Sequence, residues 1–248
     1  MRILVSNDDG IYSPGIYALA QIASSFGEVR IVAPSVEQSA KGHAITISRP
    51  LHYHRTKIGD FEAYRVDGTP ADCVALGAYH WDHVDLVLSG INLGLNIGHN
   101  IGHSGTVAAA KQAALLNIPA IAFSSVYENG EPVDYEVLAP WVKQVVELFL
   151  AHPKMPLLNA NFPATPQGLR FTRQSVRHYE GDVIEGEDPM GRKHFWFAAR
   201  PIEEVEEGTD RWAIEHGYVS LTPLSLDHTD EALLRQLLQT QAPLVADR

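Results

Sequence analysis

The sequence predicts a doubly wound α/β fold with a mostly parallel sheet covered on both faces, and three observations point to it. Short β-branched runs alternate with helix-like stretches from Arg2 to about Pro119. The strand candidates are continuous apolar runs rather than alternating ones, as expected where crossover helices bury both faces of a parallel sheet. The chain has 248 residues and 45% hydrophobic content, enough for one large core or a core with an appendage.

Taken in order, residues 3–6 read as a buried strand, and Ile16, Leu19, Ala20, Ala23 and Phe26 fall at helical spacing after Pro14-Gly15. Residues 29–33 form the second strand, stopped by Pro34, and residues 84–88 form another. The Ala-rich stretch 106–116 is helical, and residues 120–123 are a further strand. Residues 134–150 read as an amphipathic helix, followed by a strand around 157–160. Beyond Pro163 the texture changes. Residues 170–225 mix charges, Gly and aromatics, with alternating patches at Phe195-Trp196-Phe197 and Tyr218-Val219-Ser220-Leu221, which read as β-hairpins projecting from the core. A tail helix over about 230–240 carries a stripe of Leu233, Leu234, Leu237 and Leu238. The organisation expected is therefore a Rossmann-like α/β domain over 1–165 and a hairpin and C-terminal helix extension over 166–248, both in one structural unit. No internal repeat is present.

Nineteen Lys and Arg against 30 Asp and Glu leave a formal charge of −11. That balance argues against duplex nucleic acid and against an anionic membrane surface as partners, because no basic surface displaces counterions. An anionic substrate would need a local positive centre, a metal ion or a helix N-terminus. The single cysteine, Cys73, excludes an intrachain disulfide and favours a reducing compartment. The apolar run at the N-terminus is too short for a secretory signal and no later run is long enough to span a bilayer, so a cytoplasmic location is expected.

Four clusters carry chemistry. Asp8 and Asp9 follow the first strand directly, where open α/β sheets bind ligands. Adjacent carboxylates there repel unless a cation or a proton neutralises them, which points to a hard divalent cation. An Asx-turn with a helix N-cap is the alternative reading. The stretch from Asn7 to Gly15 lacks the Gly-x-Gly-x-x-Gly turn, which disfavours a dinucleotide fold. The second cluster, residues 89–98, has repeated glycines and reads as a flexible close-approach loop offering the amides of Asn92 and Asn96. It leads to Ser104-Gly105-Thr106 at the start of the Ala-rich helix, where free backbone N–H groups and the positive dipole end suit a phosphate; ordinary capping by Ser104 or Thr106 is the alternative. Gly105 is expected to matter for its missing side chain, which would let a phosphate approach closely. In the third cluster, 37–43, Ser39 can reach a metal through its hydroxyl, while Lys41 and His43 can meet an anion. In the fourth, Gly68-Thr69-Pro70 reads as a turn with Asp72 in the first turn of a helix, suiting capping or substrate contact equally.

These motifs together resemble the survival protein E (SurE) nucleotidases. The resemblance rests on Ser6-Asn7-Asp8-Asp9-Gly10, the 39–46 loop, Gly68-Thr69-Pro70-Ala71-Asp72-Cys73, Ser89-Gly90-Ile91-Asn92 with Gly94 and Asn96, Ser104-Gly105-Thr106, and Gly217 through Leu224, in order over nearly the whole chain. It implies a Rossmann-like domain and a protruding hairpin exchanged between protomers in a homodimer or homotetramer. It also implies metal-dependent hydrolysis of nucleoside 5′- and 3′-monophosphates to nucleoside and phosphate. One divalent cation per subunit would be held by Asp8, Asp9, Ser39 and Asn92, with Asn96, Ser104, Gly105 and Thr106 at the phosphate. Where the family usually has acidic residues and then Tyr before Ser-Gly-Thr, this chain has His99-Asn100-Ile101-Gly102-His103.

The four proposed ligands are all oxygens, which favours Mg²⁺ or Mn²⁺ over soft metals. The residues expected to take part in catalysis are Asp8, Asp9, Asn96 and His43, with a metal-activated water as nucleophile, Asp8 or Asp9 accepting its proton and His43 in reserve. Two rivals differ in kind. One is a phospho-aspartyl phosphatase acting through Asp8, although such enzymes carry Asp-x-Asp and these carboxylates are adjacent. The other is a nucleotide-sensing module that binds without turnover.

Overall fold

A computed structural model of the chain describes residues 1–127, 130, 132–175, 179–201 and 205–240. Chain order is β1 (Arg2–Ser6), α1 (Pro14–Ala23), β2 (Glu28–Pro34), β3 (Tyr53–Ile58), β4 (Phe61–Val66), α2 (Pro70–Tyr79) and β5 (Leu86–Leu93). A 3₁₀ turn over Gly98–Gly102 then leads to α3 (Gly105–Leu115), β6 (Ala120–Ser125), α4 (Tyr135–Leu150), β7 (Leu157–Phe162) and β8 (Leu169–Phe171). The chain continues with β9 (Tyr179–Glu187), β10 (Lys193–Pro201), α5 (Asp210–Glu215), β11 (Val219–Pro223) and α6 (Glu231–Thr240).

Nine strands form one sheet in the order β3-β4-β2-β1-β5-β6-β7-β11-β8. The interior pairs from β4 to β7 are parallel, while β3 on β4 and β11 on β7 are antiparallel. Period-two alternation divides the core between the two faces of the sheet. Ile3 and Val5 of β1 join Ile16 and Leu19 of α1 and Val142 and Val145 of α4 in one cluster. Leu4 joins Cys73 and Val74 of α2 and Val107, Ala110 and Ala113 of α3 in the other. The helices thus cover both faces, as the continuous apolar strands predict.

Three expectations need correction. The stretch 89–98 is not a loop throughout, because β5 runs on to Leu93. Asn92 and Leu93 pair with Ser124 and Ser125 of β6 after a register shift beyond Ser89. A side chain at Gly90, which has φ +133°, would meet Phe123 O at 2.3 Å, so the glycine here serves strand packing rather than flexibility. The patch at Tyr218–Leu221 does not project: β11 lies inside the main sheet between β7 and β8, its apolar residues enclosed on both edges. Residues 210–215 form a helix with Thr209 as N-cap, where hairpins were expected. The projecting hairpin is β9–β10 alone, a separate two-stranded sheet that pairs Trp196 with Ile184. The β3–β4 hairpin forms one edge of the main sheet. No helix among the described residues is long and apolar enough to cross a membrane.

Candidate active site

Strand order reverses at β1, which has β2 on one side and β5 on the other. The crevice beyond the carboxyl ends of strands at such a switch point is where open α/β sheets place ligands. Asp8 and Asp9 leave the end of β1, Asn92 lies near the end of β5, and the loop after β2 carries Ser39. Backbone bonds draw these segments together. Gln38 N donates to Asp8 O at 2.8 Å, which ties the backbone next to Ser39 to the chain leaving β1. The Leu93 backbone amide acts on the Asp9 carboxylate and favours its charged form, which places Asn92 beside it.

Asp8 is 3% exposed. Thr106 Oγ1 donates to its Oδ1 at 2.5 Å. Burial pushes the Asp8 carboxyl above its ordinary value, opposed by the Thr106 hydroxyl and by the backbone amides of Gly105 and Thr106. Asp9 is pushed up to about 7, first by burial and then by the charge of Asp8. Its Oδ2 is buried and finds no hydrogen-bond partner among the described residues. Tyr135, the first residue of α4, has its phenol pushed up to about 12 by burial and by Asp9. An underpaired buried carboxylate beside a second one is the arrangement a cation or a proton relieves.

The donor set fits a hard divalent cation. Two carboxylates would be joined by the Ser39 hydroxyl and the Asn92 amide oxygen, all of them oxygen donors. The Asn92 Nδ2 donates to Gly94 O at 2.7 Å, which leaves the amide oxygen for another partner. The Ser39 hydroxyl donates to Glu37 Oε1 at 2.7 Å and is exposed. No three His, Cys, Asp or Glu side chains gather as an ion site among the described residues.

The start of α3 departs from the sequence reading in one respect. Ser104 is the N-cap, with its hydroxyl accepting from Val107 N at 3.0 Å. A Cβ at Gly105 would lie 2.7 Å from Asp8 Cβ and 2.8 Å from Asp8 Oδ2. The close approach that requires glycine is therefore to Asp8. The helix N-terminus faces this carboxylate, and its dipole stabilises the negative charge there.

Asn96 is buried and rigidly held. Its N–H donates to Asn161 Oδ1 at 2.8 Å, and its carbonyl accepts from Asn159 Nδ2 at 2.8 Å and from Asn161 Nδ2 at 3.2 Å. Its own Nδ2 reaches Ser124 Oγ at 2.8 Å and Thr106 Oγ1 at 3.4 Å. Asn159 and Asn161 were not singled out from the sequence. Two asparagines at i and i+2 in an otherwise apolar run were the available signal, since they share one face of a buried strand. Tyr135 left no comparable trace.

His43 lies against α3. Its Nε2 is 2.8 Å from Gln112 Oε1, two helical turns or about 10 Å along α3 from Gly105. It lines a cavity of about 350 Å³ with Lys111, Gln174 and His228, in which Ser104 also takes part. Asp72 is a cap: its carboxylate accepts from Thr69 N at 2.9 Å and Thr46 N at 3.0 Å, completing a capping box. It thereby anchors the loop that carries Ser39 and His43. His99 and His103 are exposed.

Comparison with known proteins agrees with this geometry. The family model described as survival protein SurE matches residues 3–181. The chain is 51% identical over 243 residues to 5′-nucleotidase SurE 1 of Thermus thermophilus, covering 96% of each sequence. It is 43% identical to 5′-nucleotidase SurE of Deinococcus radiodurans, covering 98% of this chain and 94% of the relative. The crystal structure of the SurE protein from Aquifex aeolicus superposes with a TM-score of 0.83 at 40% identity, over 96% of this chain and 99% of that one. The sheet order, the carboxylate pair at its switch point and these likenesses lead to one assignment: the chain belongs to the SurE family.

Proposed function

We propose that this protein is a metal-dependent phosphomonoesterase, a 5′-nucleotidase that also accepts 3′-monophosphates, releasing nucleoside and phosphate. The observation that carries the proposal is the meeting of buried Asp8 and half-buried Asp9 with the N-terminus of α3, joined by the 2.5 Å bond from Thr106 to Asp8. Relatives named as 5′-nucleotidases at 43–51% identity over nearly full length support the same reading.

Asp8, Asp9, Ser39 and Asn92 would hold one Mg²⁺ or Mn²⁺ per subunit. When bound, the ion supplies Lewis-acid charge at the phosphoryl oxygens and lowers the pKa of a water. Ser104, Gly105, Thr106 and Asn96 would hold the non-bridging oxygens. The long 3.4 Å bond between Asn96 and Thr106 is the one an anion can replace. Asp8 or Asp9 would accept the proton of the attacking water. The engagement of Asp8 Oδ1 by Thr106 and the burial of Asp8 argue against Asp8 as a covalent nucleophile.

Assembly as a homodimer or homotetramer with exchanged hairpins has support in exposed apolar side chains. Val183, Ile184, Phe195 and Trp196 on the hairpin, and Leu233, Leu234, Leu237 and Leu238 on α6, are all exposed in the single chain. A buried Cys73 and no described transmembrane helix suit a cytoplasmic enzyme. Phosphate release from a panel of nucleoside 5′- and 3′-monophosphates, after EDTA stripping and with Mg²⁺ and Mn²⁺ compared, tests the proposal. Binding without release under every metal would leave the nucleotide-sensing module in its place.

A further inference from the structure

The turn between Asn96 and Ser104 is held by groups from far along the chain. Gly98 N donates to Asp210 Oδ2 at 2.8 Å, and Gln174 Nε2 donates to Gly98 O at 2.8 Å. Both backbone polar groups of Gly98 are thus engaged by the C-terminal part of the chain. Asp210 is 0% exposed. Its other oxygen accepts from Ser175 N at 3.0 Å and Arg211 N at 2.8 Å. Its own N–H donates to Arg173 O at 2.9 Å, and Arg173 N donates to Gly208 O at 3.0 Å. One carboxylate therefore joins three segments: the turn beside the phosphate site, the chain that leads to β9, and the first turn of α5.

A fully buried carboxylate costs several kcal/mol in lost hydration unless its oxygens are satisfied, and charge-assisted N–H bonds are the strong way to satisfy them. Apolar packing would join these segments without that penalty but would not fix the direction of one peptide. The downstream geometry uses that direction. Beyond Gly98, His103 N and Ser104 N both donate to Asn100 O, at 3.0 Å each, so a short stiff turn carries the position of Gly98 to the cap of α3. On the other flank Gly42 N donates to His103 O at 2.9 Å, so the turn is gripped from both sides. Asn96 lies two residues upstream of the clamp.

We propose that Asp210, assisted by Gln174, is a positioning residue for the phosphate-binding groups, and that it couples the hairpin-bearing segment to the active site. The proposal rests on the reading of Asn96 and Ser104 to Thr106 as the phosphate site. Asp210→Asn keeps the shape but turns one carboxylate oxygen into an amide NH₂; the orientation that keeps the bonds from Ser175 N and Arg211 N puts that NH₂ against Gly98 N, so this tie is lost. Gln174→Ala, at a less buried position, removes only the bond to Gly98 O.

The test measures binding of inorganic phosphate to the full-length Mn²⁺-loaded protein by calorimetry, hydrogen exchange of the amides of residues 97–104, and KM and kcat for a nucleoside monophosphate. Asp210→Asn should raise the phosphate Kd and the KM about 10-fold, the loss of one charged hydrogen bond, and Gln174→Ala about 3-fold. In both variants exchange at 97–104 should quicken and the Mn²⁺ Kd should stay within about twofold, since a local clamp is lost and not the fold. A phosphate Kd within twofold of wild type in both variants, or an equal loss of Mn²⁺ affinity, would overturn the proposal. If Asp210→Asn does not fold, Gln174→Ala decides alone. Wild-type protein that binds phosphate but hydrolyses nothing would overturn the nucleotidase reading instead, and the phosphate constants would still decide the role of Asp210.

Discussion

The hydroxyl of Thr106 donates to Oδ1 of Asp8 at 2.5 Å, across 98 residues of sequence. This bond joins the two halves of the site, the carboxylate pair after β1 and the N-terminus of α3. It also aims the helix dipole at a carboxylate that burial would otherwise leave poorly stabilised. Several expected outcomes depend on it.

Replacing either acid should stop turnover without unfolding the protein. Asp8→Asn or Asp9→Asn at saturating Mn²⁺ should lower kcat by about 10³-fold or more, the scale of losing an electrostatic centre. Circular dichroism should remain that of wild type. Near-normal rates in either variant would exclude a metal-centred mechanism.

Gly105→Val should damage both parts of the site at once. The new Cβ would lie 2.7 Å from Asp8 Cβ, so the carboxylate has to move. We expect kcat/KM to fall about 100-fold or more and Mn²⁺ affinity to fall with it. Ser104→Ala removes only a capping hydroxyl and should lower stability by about 1 kcal/mol with a smaller kinetic effect. Unchanged Mn²⁺ affinity in Gly105→Val would show that Asp8 does not depend on this contact.

The pH dependence of the metal-free protein follows from Asp9. Burial and the charge of Asp8 push its carboxyl in the folded state up to about 7, above the ordinary carboxylate range. The folded state therefore holds the proton more tightly, and stability falls as pH rises through that interval, levelling off above about 7. In EDTA, Asp9→Asn should be more stable than wild type at pH 8, by about 4–8 °C in Tm for a stabilisation of about 2 kcal/mol. Near pH 4 the two should melt together. Thermal scans showing equal Tm values at pH 8 would mean that Asp9 is not destabilised when ionised.

If water attacks phosphorus directly, one solvent ¹⁸O should enter each released phosphate and no phosphoenzyme should accumulate. A borohydride-reducible adduct on Asp8 would establish covalent catalysis instead.

Assembly should depend on the exposed apolar stripes. Light scattering should report a dimer or tetramer, and deletion from Asp230 onward should weaken association more than Mn²⁺ binding. A monomer at every concentration would remove the exchanged-hairpin model.

Much of this was legible locally. The apolar runs of β1, β2, β5 and β6 announce a parallel sheet because burial on both faces is a property of each strand by itself. The Asp8-Asp9 pair alone suits an Asx-turn and N-cap as well as a cation; it points to a site only together with the small, hydroxylic helix start at Ser104-Gly105-Thr106. Position relative to the rest of the chain was less legible. Residues 218–221 alternate like an edge hairpin, yet they became an interior strand because β7 and β8 flank them. That the His43 ring meets Gln112, 69 residues on, has no trace in the sequence.

By itself, then, the sequence determined the fold class, the carboxylate pair and the small-residue helix start, because each is a matter of residue type and short-range period. Only the tertiary structure decided what these residues face. Gly105 accommodates Asp8, Asn96 is locked by Asn161 across 65 residues, and Gly98 is clamped by Asp210 across 112. Hydrogen bonds between distant segments leave no periodic trace in sequence: they depend on where the sheet order brings two loops together, and that order is a property of the packed chain.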